Sequence, residues 1–145
     1  MIRPFRNSDM DEVIGIWIEA SEEVHNFVKP GFWRSRAGDM QENYIPASET
    51  YVFEESGKIK GFFCLYGNTL AALFVDPRYQ GRGIGGKLVE KAMELRGDLG
   101  LTVYRENRQA VRFYEKHGFK AVSCRVDENT GHREIIMKRS AGTVK

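Results

Sequence analysis

Residues 73–90 read LFVDPRYQGRGIGGKLVE. Gly81, Gly83, Gly85 and Gly86 fall within six positions, with Lys87 beside them. Such density suits a loop whose backbone comes close to a phosphate, because a side chain at an inward position would block the approach. Three phosphate-loop spacings overlay here. Gly81-x-Gly83-x-x-Gly86 spells the dinucleotide fingerprint, Gly81 followed by four residues and Gly86-Lys87 spells most of a P-loop, and Gln80-x-x-Gly83-x-Gly85 is a third pattern.

The surroundings choose among them. The dinucleotide fingerprint needs its first glycine directly after a strand, at the start of a doubly wound domain. Here residues 76–80 separate the apolar run from Gly81, and the preceding segment reads as antiparallel strands. Glu106 falls at the spacing of a ribose-binding acid by coincidence. The P-loop needs Ser or Thr after its lysine, to hold magnesium. Leu88 stands there, at a position a helix needs for packing. The third pattern fits a loop joining an apolar strand to a helix that starts near Ile84. Amides over residues 81–86 then turn inward at the positive end of that helix. Gln80 braces the loop or contacts phosphate, and Ile84 anchors it. The plainer alternative is a glycine-rich turn with no ligand, but four glycines carry an entropic cost unless close approach requires them.

The chain has 145 residues, enough for one proper core. Hydrophobic content is 41% and charged content 29%, the balance of an ordinary globular chain. Net charge is only +2 with scattered basic residues, which lacks the clustered footprint of a nucleic-acid partner. A rim of Arg78, Arg82 and Lys87 suits a polyanionic small ligand. No stretch reaches about 18 apolar residues, so no membrane helix is expected. The opening MIRPFRNSD lacks a signal peptide's apolar run. Cys64 and Cys124 each sit in a strand-like run and read as reduced core thiols of a cytoplasmic protein. No cysteine or histidine spacing suggests a metal.

Along the chain, a short strand covers residues 2–5, and Ser8 or Asp9 caps a helix whose buried face carries Val13, Ile14, Trp17 and Ile18. Pro30-Gly31 breaks the chain. A second helix spans 33–44 and stops before Pro46. Strands over 50–55, 58–67 and 69–75 form an antiparallel meander with Gly and Asn turns. The last of these is apolar almost throughout, which predicts a central strand buried on both faces. A helix follows over 84–96 with Leu88, Val89, Ala92 and Met93 inward, then a strand over 101–105. A helix from Asn107 ends at Gly118. Strands over 119–126 and 133–139 close the order β-α-α-β-β-β-α-β-α-β-β, a mixed α/β sheet carrying helices.

The block 73–90 and a second block, VYRENRQAVRFYEKHGFK at 103–120, together resemble the GNAT superfamily of acyl-CoA-dependent N-acetyltransferases. The strand order agrees along nearly the whole chain, and the likeness is strongest to small stand-alone bacterial members, some of which modify protein lysines. The resemblance implies an α/β domain over residues 1–139, its central sheet mixed and mostly antiparallel with flanking helices, before a loose tail at 140–145. It implies acetyl-CoA as co-substrate with no metal. The reaction implied is direct transfer to a primary amine, on a small molecule, a protein lysine or an N-terminus, within a ternary complex. Nucleic acid and membrane are not expected partners; the expected state is a cytoplasmic monomer or homodimer.

The same resemblance implies roles for particular residues. Leu73, Phe74 and Val75 lie along the cofactor, with Leu73 and Val75 offering backbone groups to the pantetheine arm as an added strand would. The amide near Val75 bonds the thioester carbonyl. Gln80, Gly81, Arg82, Gly83, Ile84, Gly85 and Gly86 form the phosphate cradle. Arg112 either adds outer charge or belongs to a solvated helix face. Asn107 either starts its helix as an N-cap or also bonds the cofactor's arm. Tyr114 protonates the departing thiolate, the alternative being a core tyrosine beside Phe113. A proton acceptor for the amine is open among His25, Glu54, Glu55 and a water relay; His117 has an ordinary explanation at a helix end. Neither cysteine has an activating neighbour in sequence, which disfavours a covalent route. Phe27, Phe32, Trp33 and Tyr44 are an acceptor wall or plain packing. A non-catalytic acyl-CoA-binding module with the same fold is the competing function.

Overall fold

A computed structural model describes residues 1–29 and 31–140, apart from the side chain of Val24. The expected break at Pro30 and the expected loose tail beyond Ser140 lie outside the described residues. The strands are β1 (Ile2–Pro4), β2 (Glu49–Glu55), β3 (Lys58–Tyr66), β4 (Thr69–Val75), β5 (Leu99–Tyr104), β6 (Lys120–Val126) and β7 (Arg133–Arg139). The longer helices are α1 (Met10–Val24), α2 (Ile84–Leu95) and α3 (Arg108–Lys116). The strands form one sheet in the order β1-β2-β3-β4-β5-β7-β6. Every neighbouring pair is antiparallel except β4 and β5. This is the mixed, mostly antiparallel sheet that the sequence predicts.

Two details near the start differ from expectation. Asp9 stands at the N-cap of α1 but makes no side-chain cap bond to it. Its carboxylate instead accepts from Arg6 N–H at 2.8 Å and from the Arg3 guanidinium at 2.8 and 3.0 Å. An ion pair between largely buried groups outweighs a neutral cap here. The second helix does not run unbroken over 33–44 or stop before Pro46. It is a series of short pieces, Phe32–Ser35, Ala37–Asp39, a π-helical turn Met40–Tyr44, and Ile45–Ala47. Ile45 keeps helical angles of φ −65° and ψ −47° directly before the proline. Pro46 lies in the first turn of the last piece, where its missing N–H removes no intrahelical bond.

Two apolar clusters cover the two faces of the sheet. Val13, Ile16 and Trp17 of α1 pack with Ile45, Val52 and Phe62 on one side. Leu88, Val89 and Ala92 of α2 pack with Phe63, Leu65, Phe119 and Met137 on the other. β3 joins them through the strand's period of two: Phe62 and Cys64 face the first cluster, Phe63 and Leu65 the second. So β3, not β4, is the strand buried on both faces. β4 does occupy the centre of the sheet order, yet residues 71–75 are exposed or half-buried. The cause is its parallel neighbour. β4 and β5 share one register point, Thr69 opposite Gly100, and then diverge.

Cys64 is buried as expected, but Cys124 is exposed, because β6 lies at the end of the sheet and is exposed along its length. α2 packs closely on β3 at Gly61. A Cβ built there would lie 3.0 Å from Leu88 Cδ1 and 3.0 Å from the Phe74 carbonyl oxygen. The carbonyl belongs to the backbone of β4 and cannot swing aside as a side-chain tip does. Gly61→Ala is therefore expected to destabilise the fold by about 1–3 kcal/mol, the usual range for overpacking. Urea unfolding reads it as a lower midpoint at unchanged slope; an unchanged midpoint would show that helix and sheet are not held this closely.

Candidate active site

The divergence of β4 and β5 opens the sheet, and strand alternation decides which backbone groups face the opening. Asp76 N–H donates to Lys60 O at 2.8 Å, so that position turns toward β3. Alternation then turns the N–H and C=O of Val75 and Leu73 the other way, toward the gap. In keeping with this, Gln80 Nε2 reaches the Val75 carbonyl from outside the sheet at 3.5 Å. Asp76 itself is buried and accepts from Arg78 N–H at 3.0 Å and from the Arg78 guanidinium at 3.1 and 2.8 Å. The Arg78 guanidinium holds the Asp76 carboxyl below the usual carboxylate range. Arg78 thus has its charge engaged locally, whereas Arg82 and Lys87 lie over the rings of Tyr79 and Phe53.

After β4 the chain makes a short turn at Pro77–Tyr79 and enters the glycine loop. Gly81 and Gly83 have φ of +79° and +81°, in the left-handed region that side-chain-bearing residues avoid. Gly83 is the N-cap of α2, and the first bond closing that helix runs from Lys87 N–H to Gly83 O at 3.2 Å. The N–H groups of Ile84, Gly85 and Gly86 therefore have no partner within the helix. They border a cleft of about 280 Å³, whose walls include Val75, Gln80, Gly81 and Gly83 on one side and Asn107, Phe113 and Tyr114 on the other. A Cβ at Gly85 would meet the Phe113 ring at 3.5 Å, whereas one at Gly81 or Gly83 would meet nothing within 4 Å. Free amides at a positive helix end, beside glycines opening on empty space, fit a diphosphate.

A second cavity, of about 710 Å³, lies on the other side of the opening, in the size range of small-molecule sites. Trp33, Tyr44, Tyr66 and Tyr104 are among its walls. The two spaces share Leu73, Phe74, Asn107, Ala110 and Tyr114. Asn107 caps α3, its Oδ1 accepting from Ala110 N–H at 3.2 Å. Tyr114 lies two turns along the same helix and packs edge-on against Phe113 and Phe119. Its phenol finds no hydrogen-bond partner among the described residues, and burial raises its pKa above the ordinary tyrosine range.

His25, directly after α1, belongs to the larger cavity, with its imidazole among the rings of Phe27, Trp33, Phe74 and Tyr104 at 5.1–6.5 Å. Burial lowers its pKa from 6.5 to about 4. Its Nε2 lies 3.4 Å from Asn107 Nδ2, and its Nδ1 is buried with no partner among the described residues.

The sequence-predicted residues divide accordingly. Leu73, Phe74, Val75, Gln80, Gly81, Gly83, Ile84, Gly85, Gly86, Asn107 and Tyr114 all border the opening, while Arg82 is not among its walls. Of the three side chains considered for the amine's proton, only His25 is there. Glu54 accepts from Arg3 Nε at 2.9 Å, and Glu55 accepts from Lys60 Nζ at 2.8 Å, both at the far end of β2. Trp33 and Tyr44 line the larger cavity; Phe27 and Phe32 pack on His25 and Trp33. Sequence reasoning missed Tyr104, which lines the cavity and donates to Asp127 Oδ2 at 2.5 Å. The sequence shows it only as an aromatic with a polar tip at the end of a strand, and the divergence of β4 and β5 is what turns it to the cavity.

Comparison with known proteins gives a consistent result. The acetyltransferase (GNAT) domain family matches residues 46–121. The chain is 34% identical over 131 residues to the peptidyl-lysine N-acetyltransferase YiaC of Escherichia coli, covering 90% of each. The solution structure of apo YjaB from Escherichia coli superposes with a TM-score of 0.84 at 29% identity, over 95% of both chains. PaiA N-acetyltransferase from Thermoplasma acidophilum, solved in complex with coenzyme A, shares the fold with a TM-score of 0.78 at 20% identity, over 97% of this chain and 98% of that one. The chain belongs to the GNAT family of acetyl-CoA-dependent N-acetyltransferases.

Proposed function

We propose that the protein transfers the acetyl group directly to a primary amine within a ternary complex, and that the acceptor is the ε-amine of a protein lysine. One observation carries the direct route: the cleft at the glycine loop and the aromatic cavity meet at Leu73, Phe74, Asn107 and Tyr114. Donor and acceptor enter from opposite sides and touch without a covalent relay. Cys64, the thiol nearest this junction, is buried with its pKa raised by burial and lacks an activating base. The lysine acceptor is supported by YiaC and YjaB, both named peptidyl-lysine N-acetyltransferases. Two free thiols favour the cytoplasm as its compartment.

Acetyl-CoA supplies an acyl group activated as a thioester. The N–H groups of Ile84, Gly85 and Gly86 hold its diphosphate at the positive end of α2. Leu73 and Val75 pair with the pantetheine arm through the backbone groups that β5 leaves open. Val75 N–H donates to the carbonyl oxygen and holds the charge that gathers there during attack. Asn107 adds an amide to the same arm. Tyr114 passes its phenol proton to the departing sulfur. The phenol already holds that proton at neutral pH at its ordinary pKa, and burial shifts it only further in that direction. The aromatic walls exclude water and favour the neutral form of the entering amine, because burial penalises charge.

Two outcomes follow. Tyr114→Phe is expected to lower kcat by about 10²-fold or more, the usual scale for a lost general acid. Calorimetry should show coenzyme A affinity nearly unchanged, and unchanged turnover would remove Tyr114 from the chemistry. The second outcome concerns the desolvation that the cavity imposes on His25. The groups facing its ring are Asn107, the apolar rings of Phe27, Trp33 and Phe74, and Tyr104, whose hydroxyl is held by Asp127. Its folded pKa of about 4 lies below the unfolded 6.5, so between these values only the unfolded chain takes the proton. The contribution to stability is full above about pH 6.5 and is lost as pH falls through about 4, roughly 3 kcal/mol in all. Denaturant unfolding at pH 7 and pH 4 should show a smaller acid loss for His25→Gln than for wild type, by about that amount. Equal acid losses would mean the imidazole is solvated.

A further inference from the structure

His25 lines the larger cavity beside Asn107, a residue common to both spaces, and the hydrogen bonds around it fix which ring nitrogen carries the lone pair. Asn107 Oδ1 is committed to capping α3 through Ala110 N–H at 3.2 Å. That sets the amide's orientation, so Nδ2, a donor, is the atom facing His25 Nε2 at 3.4 Å. A donor opposite Nε2 makes Nε2 the acceptor and leaves the proton on Nδ1. Nδ1 is buried without a partner among the described residues, which leaves the Nε2 edge beside Asn107 as the ring's polar outlet. The 3.4 Å contact is long and readily released.

We propose that His25 is the proton acceptor for the amine: its Nε2 takes the proton that the amine nitrogen sheds as it bonds to the acyl carbon. This rests on the transferase reading above. His25 accepts an N–H of the neutral amine, which orients the nitrogen lone pair toward the acyl carbon. As the C–N bond forms, the nitrogen becomes positively charged and far more acidic than a free ammonium, so a weak base suffices. His25 gains that proton, and Tyr114 gives its own to the sulfur as the C–S bond breaks with the electron pair on sulfur. A proton returned from His25 to Tyr114 through water restores both groups. The net change is one proton moved from amine to thiol. No competing base stands free at the junction among the described residues. Glu134 reaches the larger cavity but accepts from Arg125 Nε at 3.2 Å, and Glu54 and Glu55 are held elsewhere by Arg3 and Lys60.

Two measurements test this. In wild-type protein labelled with ¹⁵N-histidine, the imidazole nitrogen shifts of His25 should report the Nδ1–H tautomer; an Nε2–H tautomer would overturn the proposal. Second, acetylation of a lysine-containing peptide by wild type and His25→Gln is compared, because glutamine can accept a hydrogen bond but cannot take the proton. The expected result is a fall in kcat of about 10²-fold or more, with coenzyme A affinity by calorimetry within about twofold of wild type. Near-wild-type kcat would overturn the role. So would a loss of coenzyme A affinity that matches the loss of turnover, since His25 would then act by holding Asn107. If the variant does not fold, the tautomer spectrum decides alone. Wild-type protein that binds coenzyme A but transfers nothing to any peptide would instead bring down the lysine-acetyltransferase reading.

Discussion

The structure depends on the failure of two parallel strands to stay together. β4 and β5 pair at a single register point and then separate. A strand in the middle of a sheet normally has both edges satisfied, and unpaired backbone groups at such a position are costly. Here the edge of β4 beyond Thr69 faces the gap without a strand partner. That unsatisfied edge is what a cofactor with alternating amide and carbonyl groups can complete. Everything else is arranged around it: α2 starts where β4 ends, α3 crosses the mouth, and α1 with the short helical pieces walls the opposite side.

The two sides of the gap differ in physical character. On one side glycines with positive φ and a helix start offer donors to an anion. On the other, aromatic rings crowd a histidine, and two buried ring nitrogens, His25 Nδ1 and Trp33 Nε1, have no partner among the described residues. Leaving such groups unsatisfied costs about 1–3 kcal/mol each. Proteins tolerate that mostly where function requires it. The division suits a reaction between a polyanionic donor, held by charge and amides, and an amine that must lose its charge before it can attack.

The residues that border the glycine-loop cleft were legible in the sequence because their signals are local. The spacing from Gln80 to Gly86 lies within seven residues, and Asn107 and Tyr114 sit seven apart on one helix, so they share a face. The order of strands and helices along the chain was legible for the same reason, from strand-like runs between Gly and Asn turns. The larger cavity was not. His25 and Asn107 are 82 positions apart, and nothing in local pattern brings them to 3.4 Å. Nor could composition show that Glu54 and Glu55 are tied to Arg3 and Lys60. The misreading of β4 has a clear cause. An apolar run is the signature both of a doubly buried strand and of one lining an apolar cavity, and only the divergence from β5 separates the two. The proline rule failed at Pro46 because a new helical turn begins there.

The central claim is that the open edge of β4 and the first turn of α2 together receive coenzyme A. Titration of ¹⁵N-labelled protein with coenzyme A, followed by amide NMR, tests it most directly. The account predicts saturable shifts at Leu73, Val75, Ile84, Gly85 and Gly86, with β1 and β6 at the ends of the sheet little changed. Saturable shifts that spare these five amides, or no shifts at millimolar coenzyme A, would contradict it.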